Sequence, residues 1–219
     1  MSIVMAVTIL TGFGHLYLPK VVTGTPVPPI IHLHAVVFTT WLAIFVAQTT
    51  LVLNGRIATH RRLGTAAVVF AGLMVIVGSA TAIYVTRRGD RGIPGVEFAD
   101  PAAFLLLNLV ASFTFGALVA AGWYFRRNPQ AHKRLMLTAN AGALIGPGVS
   151  RLPFVYGHAA AVAPLVLAFL FAGPIYDLIT RRRIHPAYFS VLLALCAVPP
   201  VIALVASTEA WQRIAAAVL

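Results

Sequence analysis

The sequence predicts an all-α protein: a polytopic transmembrane helix bundle with seven spans, or six if the first segment does not cross. Three observations carry that expectation. Of 219 residues, 60% are apolar and only 10% are charged, where a soluble domain carries roughly a quarter charged residues. Marking every Asp, Glu, Lys and Arg leaves seven charge-free windows, 1–19, 21–55, 63–86, 101–125, 135–150, 152–176 and 184–208, most near or above the roughly 20 apolar residues that a helix needs to cross hydrocarbon. The 16 Lys and Arg and 5 Asp and Glu, a net charge of +11, sit mainly in the short connections between those windows. That placement reads as membrane topology and not as a nucleic-acid surface. The composition excludes a soluble globular enzyme and names the lipid bilayer as the first partner.

Taken in order, window 1–19 has no basic leader region and no small-x-small cleavage site, so it reads as a retained first helix and not a removed signal peptide. Pro26, Pro28 and Pro29 mark the start of the second helix, Asp100-Pro101 that of the fourth and His185-Pro186 that of the seventh, since proline suits the first helical turn. The connection from Arg87 to Asp100 is a loop punctuated by Gly89, Gly92, Pro94 and Gly95. The fifth window is the shortest. Within it Gly142-xxx-Gly146 permits close helix contact, and Gly146-Pro147-Gly148 should kink the helix or end it early. Residues 1–219 form one integral membrane domain. The lone Cys196 lies in the last window, so an intramolecular disulfide is excluded.

Counted by loop parity, ten bases lie on one side (Arg56, Arg61, Arg62, Arg126, Arg127, Lys133, Arg134, Arg181, Arg182, Arg183) and six on the other. The positive-inside bias makes the first set cytoplasmic. The expectation is therefore a bacterial inner-membrane protein with its N-terminus in the cytoplasm and its C-terminus in the periplasm.

The seven histidines fall into two layers. His60, His132 and His185 each open a helix at the basic side, and the contexts His60-Arg-Arg-Leu and His132-Lys-Arg-Leu look like a weak internal repeat. Asp177, near the same end of the sixth span, needs a partner in hydrocarbon, available from Arg181 one turn away or from Arg61, Arg62 or Arg134 on neighbouring helices. One reading is a basic rim with a structural ion pair. The other is convergence of His60, His132, His185 and Asp177 into a metal site for zinc, iron or manganese, or into a polar pocket for an anion.

In the outer layer, His32 and His34 point about 200° apart on a helix. His34 lies seven and fourteen residues before Trp41 and Gln48, which gives an inward stripe. His15 could meet it from the first helix, with Arg151, Tyr156 and His158 closing the mouth. Facing imidazoles there could hold haem b as axial ligands, or copper, zinc or iron. Gln48, Asn108, Ser112, Thr138 and Asn140 read as interhelical hydrogen-bonding groups. No span carries a lysine for a retinal Schiff base, and no Gly-rich phosphate loop or paired carboxylates occur within the windows.

The segments His32-Leu-His34 through Trp41 and Gln48, Arg56-Ile-Ala-Thr-His60-Arg-Arg-Leu-Gly64, Ala131-His132-Lys-Arg-Leu-Met136, Arg151-Leu-Pro153, and Tyr176-Asp177 through His185-Pro186 resemble those of uncharacterised bacterial multi-spanning membrane proteins, across most of residues 12–190. The His-Lys-Arg-Leu-Met stretch is also similar to the CtaM/YozB-like family, linked to cytochrome oxidase assembly, although this chain has more spans. That similarity implies a bioenergetic role. Two expectations result: a His-ligated redox or metal-handling protein, for electron transfer or metallo-oxidase assembly, or a non-catalytic accessory subunit of a respiratory or photosynthetic complex. A transporter is a weaker third, since the broken fifth helix has no matching inverted repeat.

Overall fold

All seven charge-free windows become helix. The computed structural model describes the backbone of residues 1–219 and the side chains of all but residues 190, 191, 193–197 and 199, so the side chain of Cys196 lies outside the described set. The helices are α1 (Ser2–Val22), α2 (Pro29–Leu53), α3 (Ile57–Arg87), α4 (Pro101–Tyr124), α5 (Pro129–Ala143), α6 (Ile145–Val149), α7 (Ala159–Arg181), α8 (Pro186–Ala206) and α9 (Glu209–Val218). Among the described residues five helices, α1 to α4 and α7, are long and apolar enough to cross a membrane. α8 has 21 residues within the charge-free window 184–208.

The fifth window behaves differently. α5 has only 15 residues, short of the roughly 20 that span hydrocarbon, and it stops at Ala143 because Pro147 has no N–H to bond that residue's carbonyl. α5 sits inside the bundle against α4, α7 and α8, with Arg134, Thr138 and Asn140 all buried. A polar, interrupted helix at membrane depth is tolerated when protein surrounds it. The close approach expected of this segment occurs two residues beyond Gly146: Gly148 of α6 packs on Ile9 of α1, and Gly12 of α1 lies against the Gly148 carbonyl.

The main core joins α1, α2, α3, α4, α5 and α6 around Met5, Trp41, Met74, Phe115, Ala139, Ile145 and Val149. Trp41 meets Phe115 edge-on at 5.1 Å, and its indole Nε1–H donates to Asn140 Oδ1 at 2.9 Å. Asn140 thus ties α5 to α2, as an interhelical polar group should. Asn108, Ser112 and Thr138 instead bond carbonyls of their own helices one turn back.

The 54–56, 125–128 and 182–185 connections gather at one end of the bundle, the basic end. At the far end, residues 87–100 include a small hairpin, β1 (Gly92–Ile93) with β2 (Val96–Glu97), antiparallel with Ile93 opposite Val96. Pro94-Gly95 makes its turn, Gly95 adopting φ +82°, as the third residue of a type II turn requires. α9 bends 77° from the last turns of α8. It lies across the start of α4, where the Trp211 indole donates to the Ala102 carbonyl and Gln212 Nε2 to Asp100 Oδ2.

Candidate functional site

The basic end contains two adjoining polar groups. The first is a histidine pair. His60 and His132 are each the fourth residue of their helices, α3 and α5, so the sequence repeat becomes a structural one. Their rings meet edge-to-face with centres 6.2 Å apart. His132 Nδ1 lies 2.8 Å from the Gly122 carbonyl, one of the last-turn acceptors of α4 that no helical N–H can reach. A carbonyl only accepts, so Nδ1 carries a proton, and in the neutral ring Nε2 keeps the lone pair that a metal can take. Gly122 allows this approach: a Cβ there would lie 2.8 Å from the Met136 sulfur.

His60 Nδ1 and Gln48 Oε1 are both buried without a hydrogen-bond partner. The Gln48 amide covers Gly64, one turn beyond His60, where a Cβ would stand 3.3 Å from Gln48 Nε2. The two imidazoles therefore meet between α3 and α5, with the Gln48 amide of α2 one turn along α3. Buried polar atoms are normally paired, so an unpartnered imidazole nitrogen beside a second imidazole suits a ligand. The position of Gln48 on the inward stripe of α2 was legible in the sequence. Its place over Gly64 of α3 was not.

The second group is centred on Arg134 and Asp177. Arg134 Nε donates to Asp177 Oδ2 at 2.7 Å and Nη2 to Oδ1 at 2.5 Å, while Nη1 donates to both the carbonyl and the side-chain oxygen of Gln130. The two side chains are 1% and 4% exposed. The expected partner of Asp177 is thus Arg134, with Arg181 more distant at 3.7 Å. Tyr188 lies over the guanidinium, its ring centre 5.8 Å from Cζ, and the Tyr188 hydroxyl occupies space left by Gly173.

His185 caps α8, its Nδ1 accepting from the Ala187 N–H at 3.1 Å. Burial first, then the nearby Arg134 charge, hold this imidazole below its ordinary 6.5. The neutral form is the one that can act as cap, because protonation removes the lone pair.

His60, His132, His185 and Asp177 accordingly do not meet as one cluster. Among the described residues no three of His, Cys, Asp and Glu gather in metal-binding range. Arg134 bonds both oxygens of Asp177, and His60 and His132 face each other apart from it.

At the far end each outer residue makes a contact of its own. His34 stacks on Phe38 with ring centres 3.9 Å apart, and its Nδ1 is buried and unpartnered. His15 bonds the Thr11 carbonyl and meets Tyr156 edge-on at 6.2 Å. His32 is exposed and bonds the Tyr17 hydroxyl. Arg151 lies over the Phe13 ring at 4.8 Å and donates to the Pro147 carbonyl, and exposed His158 contacts the Tyr156 carbonyl. His15 and His34 each pack on a different ring, and the mouth is held by local bonds. No protein-family model, curated protein or solved structure matches this chain. The functional reading therefore rests on its own residues.

Proposed function

We propose that this chain is an integral protein of a bacterial inner membrane that holds one transition-metal ion between His60 and His132, serving electron transfer or the assembly of a metallo-oxidase. The observation that carries the reading is the pair itself. Two histidines at equivalent helix positions face each other at 6.2 Å between ring centres, and metal–nitrogen bonds of about 2 Å place the ring centres of two ligands of one ion about 5–6 Å apart. The Gly122 carbonyl orients His132 as outer partners of metal-bound histidines commonly do. Imidazole suits copper, zinc and iron. Haem b is the alternative occupant that an absorption spectrum distinguishes.

Metal analysis and a spectrum of the purified protein test this. Stoichiometric copper, zinc or iron is expected, lowered at least about tenfold in affinity by His60→Ala or His132→Ala and unchanged by His158→Ala. A colourless, metal-free protein that co-purifies with other membrane subunits would overturn the reading in favour of the accessory role. A metal retained equally by all three variants would overturn the assignment of the pair.

The orientation belongs to the same proposal. Ten bases at one end against six at the other support a cytoplasmic basic end, with the N-terminus on that side and α9 in the periplasm. A cysteine placed at position 129 should resist impermeant thiol reagent in intact cells and react after lysis. Labelling in intact cells would reverse the topology.

A further inference from the structure

The basic end is far from electrically balanced. It holds ten of the 16 Lys and Arg, and Asp177 is its only carboxylate, since Asp90, Glu97, Asp100 and Glu209 all belong to the far end. Asp177 is already satisfied by Arg134, which makes the pair a neutral buried floor. Over that floor a cavity of about 380 Å³ opens between the start of α5 and the α7–α8 turn, bordered by Gln130, Arg134, Asp177, Arg181, Arg183 and His185. The Arg181 side chain is 41% exposed and only 3.7 Å from a carboxylate oxygen that Arg134 already occupies. Arg183 makes no ion pair among the described residues.

The turn that carries these arginines is anchored at both ends. α7 is closed by Arg182 in a left-handed conformation, φ +56°, with its N–H bonded to the Leu178 carbonyl. α8 is opened by the His185 cap. The backbone on either side of Arg183 is therefore held, which reduces the ordering cost of bringing its guanidinium to a ligand.

We infer that this cavity binds a phosphate group, with Arg181 and Arg183 as its ligands and the Arg134–Asp177 pair as its rigid floor. Planar guanidinium groups match phosphate oxygens in a bidentate fork, and the start of α8 at the rim adds the positive end of a helix dipole. Two sources share this chemistry. A free phosphate would enter from the aqueous side. An anionic phospholipid would place its headgroup in the cavity and its chains along the apolar surface beside it, where Phe189 of α8 is exposed. The inference uses none of the residues of the metal reading and stands apart from it.

Thermal-shift titration of the detergent-solubilised full chain tests it, with short-chain phosphatidylglycerol, short-chain phosphatidylcholine and inorganic phosphate as separate probes. Saturable stabilisation by phosphatidylglycerol is expected, weakened by about tenfold or more in Arg181→Gln/Arg183→Gln and retained in Arg126→Gln/Arg127→Gln, which removes equal charge from another connection at the same end. Stabilisation by phosphatidylglycerol alone identifies a lipid headgroup. An equal, arginine-dependent response to inorganic phosphate identifies a free anion. Equal stabilisation by phosphatidylcholine, no response to any probe, undiminished binding in Arg181→Gln/Arg183→Gln, or equal loss in both double variants would overturn the site.

Discussion

Asp177→Asn should cost the folded protein about 3–5 kcal/mol. The substitution leaves the Arg134 guanidinium, 1% exposed, without its counter-charge, and turns an amide N–H toward a group that can only donate. Gln130 holds Nη1 and Tyr188 lies against the guanidinium, so Arg134 is fixed where its charge would go unpaired. Unfolding in mixed detergent micelles measures the loss. Glu209→Gln is the comparison: Glu209 pairs with Arg213 at 3.0 Å but is 87% exposed, and such surface pairs contribute little. Arg134→Met/Asp177→Leu should recover much of the stability, since removing both charges leaves neither one buried and unpaired. A loss in Asp177→Asn no larger than in Glu209→Gln would mean that Asp177 is solvated.

Two glycines of α1, Gly12 and Gly14, two residues apart and so on opposite faces of the helix, should respond to alanine in opposite directions. Gly12→Ala is expected to destabilise by about 1–3 kcal/mol, the usual cost of overpacking a filled interface. Its Cβ would overlap the carbonyl oxygen of Gly148 and lie 2.9 Å from the carbonyl carbon. These are backbone atoms, so no side-chain rotation relieves the overlap and α1 must move away from α6. Gly14→Ala meets only the end of the Leu18 side chain at 3.8 Å, an ordinary contact. There the better helix propensity of alanine, worth up to about 1 kcal/mol, should stabilise. Circular dichroism melts of the two variants check the contrast, and a Gly12→Ala melt at or above that of Gly14→Ala would show that α1 does not seat on α6.

The break after α5 was legible from Gly146-Pro147-Gly148, because a missing N–H acts within one turn whatever surrounds it. That the short helix then runs through the centre of the bundle was not legible, since a 15-residue segment carrying Arg134 looks interfacial when only its own residues are read. The partner of Asp177 shows the same limit. Its need for a cation follows from its depth alone, but Arg181 on its own helix and Arg61, Arg62 and Arg134 on others all remained candidates until the packing of α5 against α7 aimed one guanidinium fork at both carboxylate oxygens. Gln130 and Tyr188, which complete that group, carry no sequence signal beyond lying near Arg134 and His185.

The sequence by itself determined the all-helical class, the proline-marked helix starts at Pro29, Pro101 and Pro186, the break after α5 and the layer in which each histidine lies. Those properties depend on apolar run length, capping residues and proline, all of which act locally along the chain. Only the tertiary structure decided which polar groups meet within a layer, because two side chains at equal depth touch or not according to the lateral order and rotation of the helices. His60 and His132 were brought together at 6.2 Å by α3 and α5 both packing on α4. Asp177 on α7 meets Arg134 instead, whose guanidinium fork reaches both of its carboxylate oxygens.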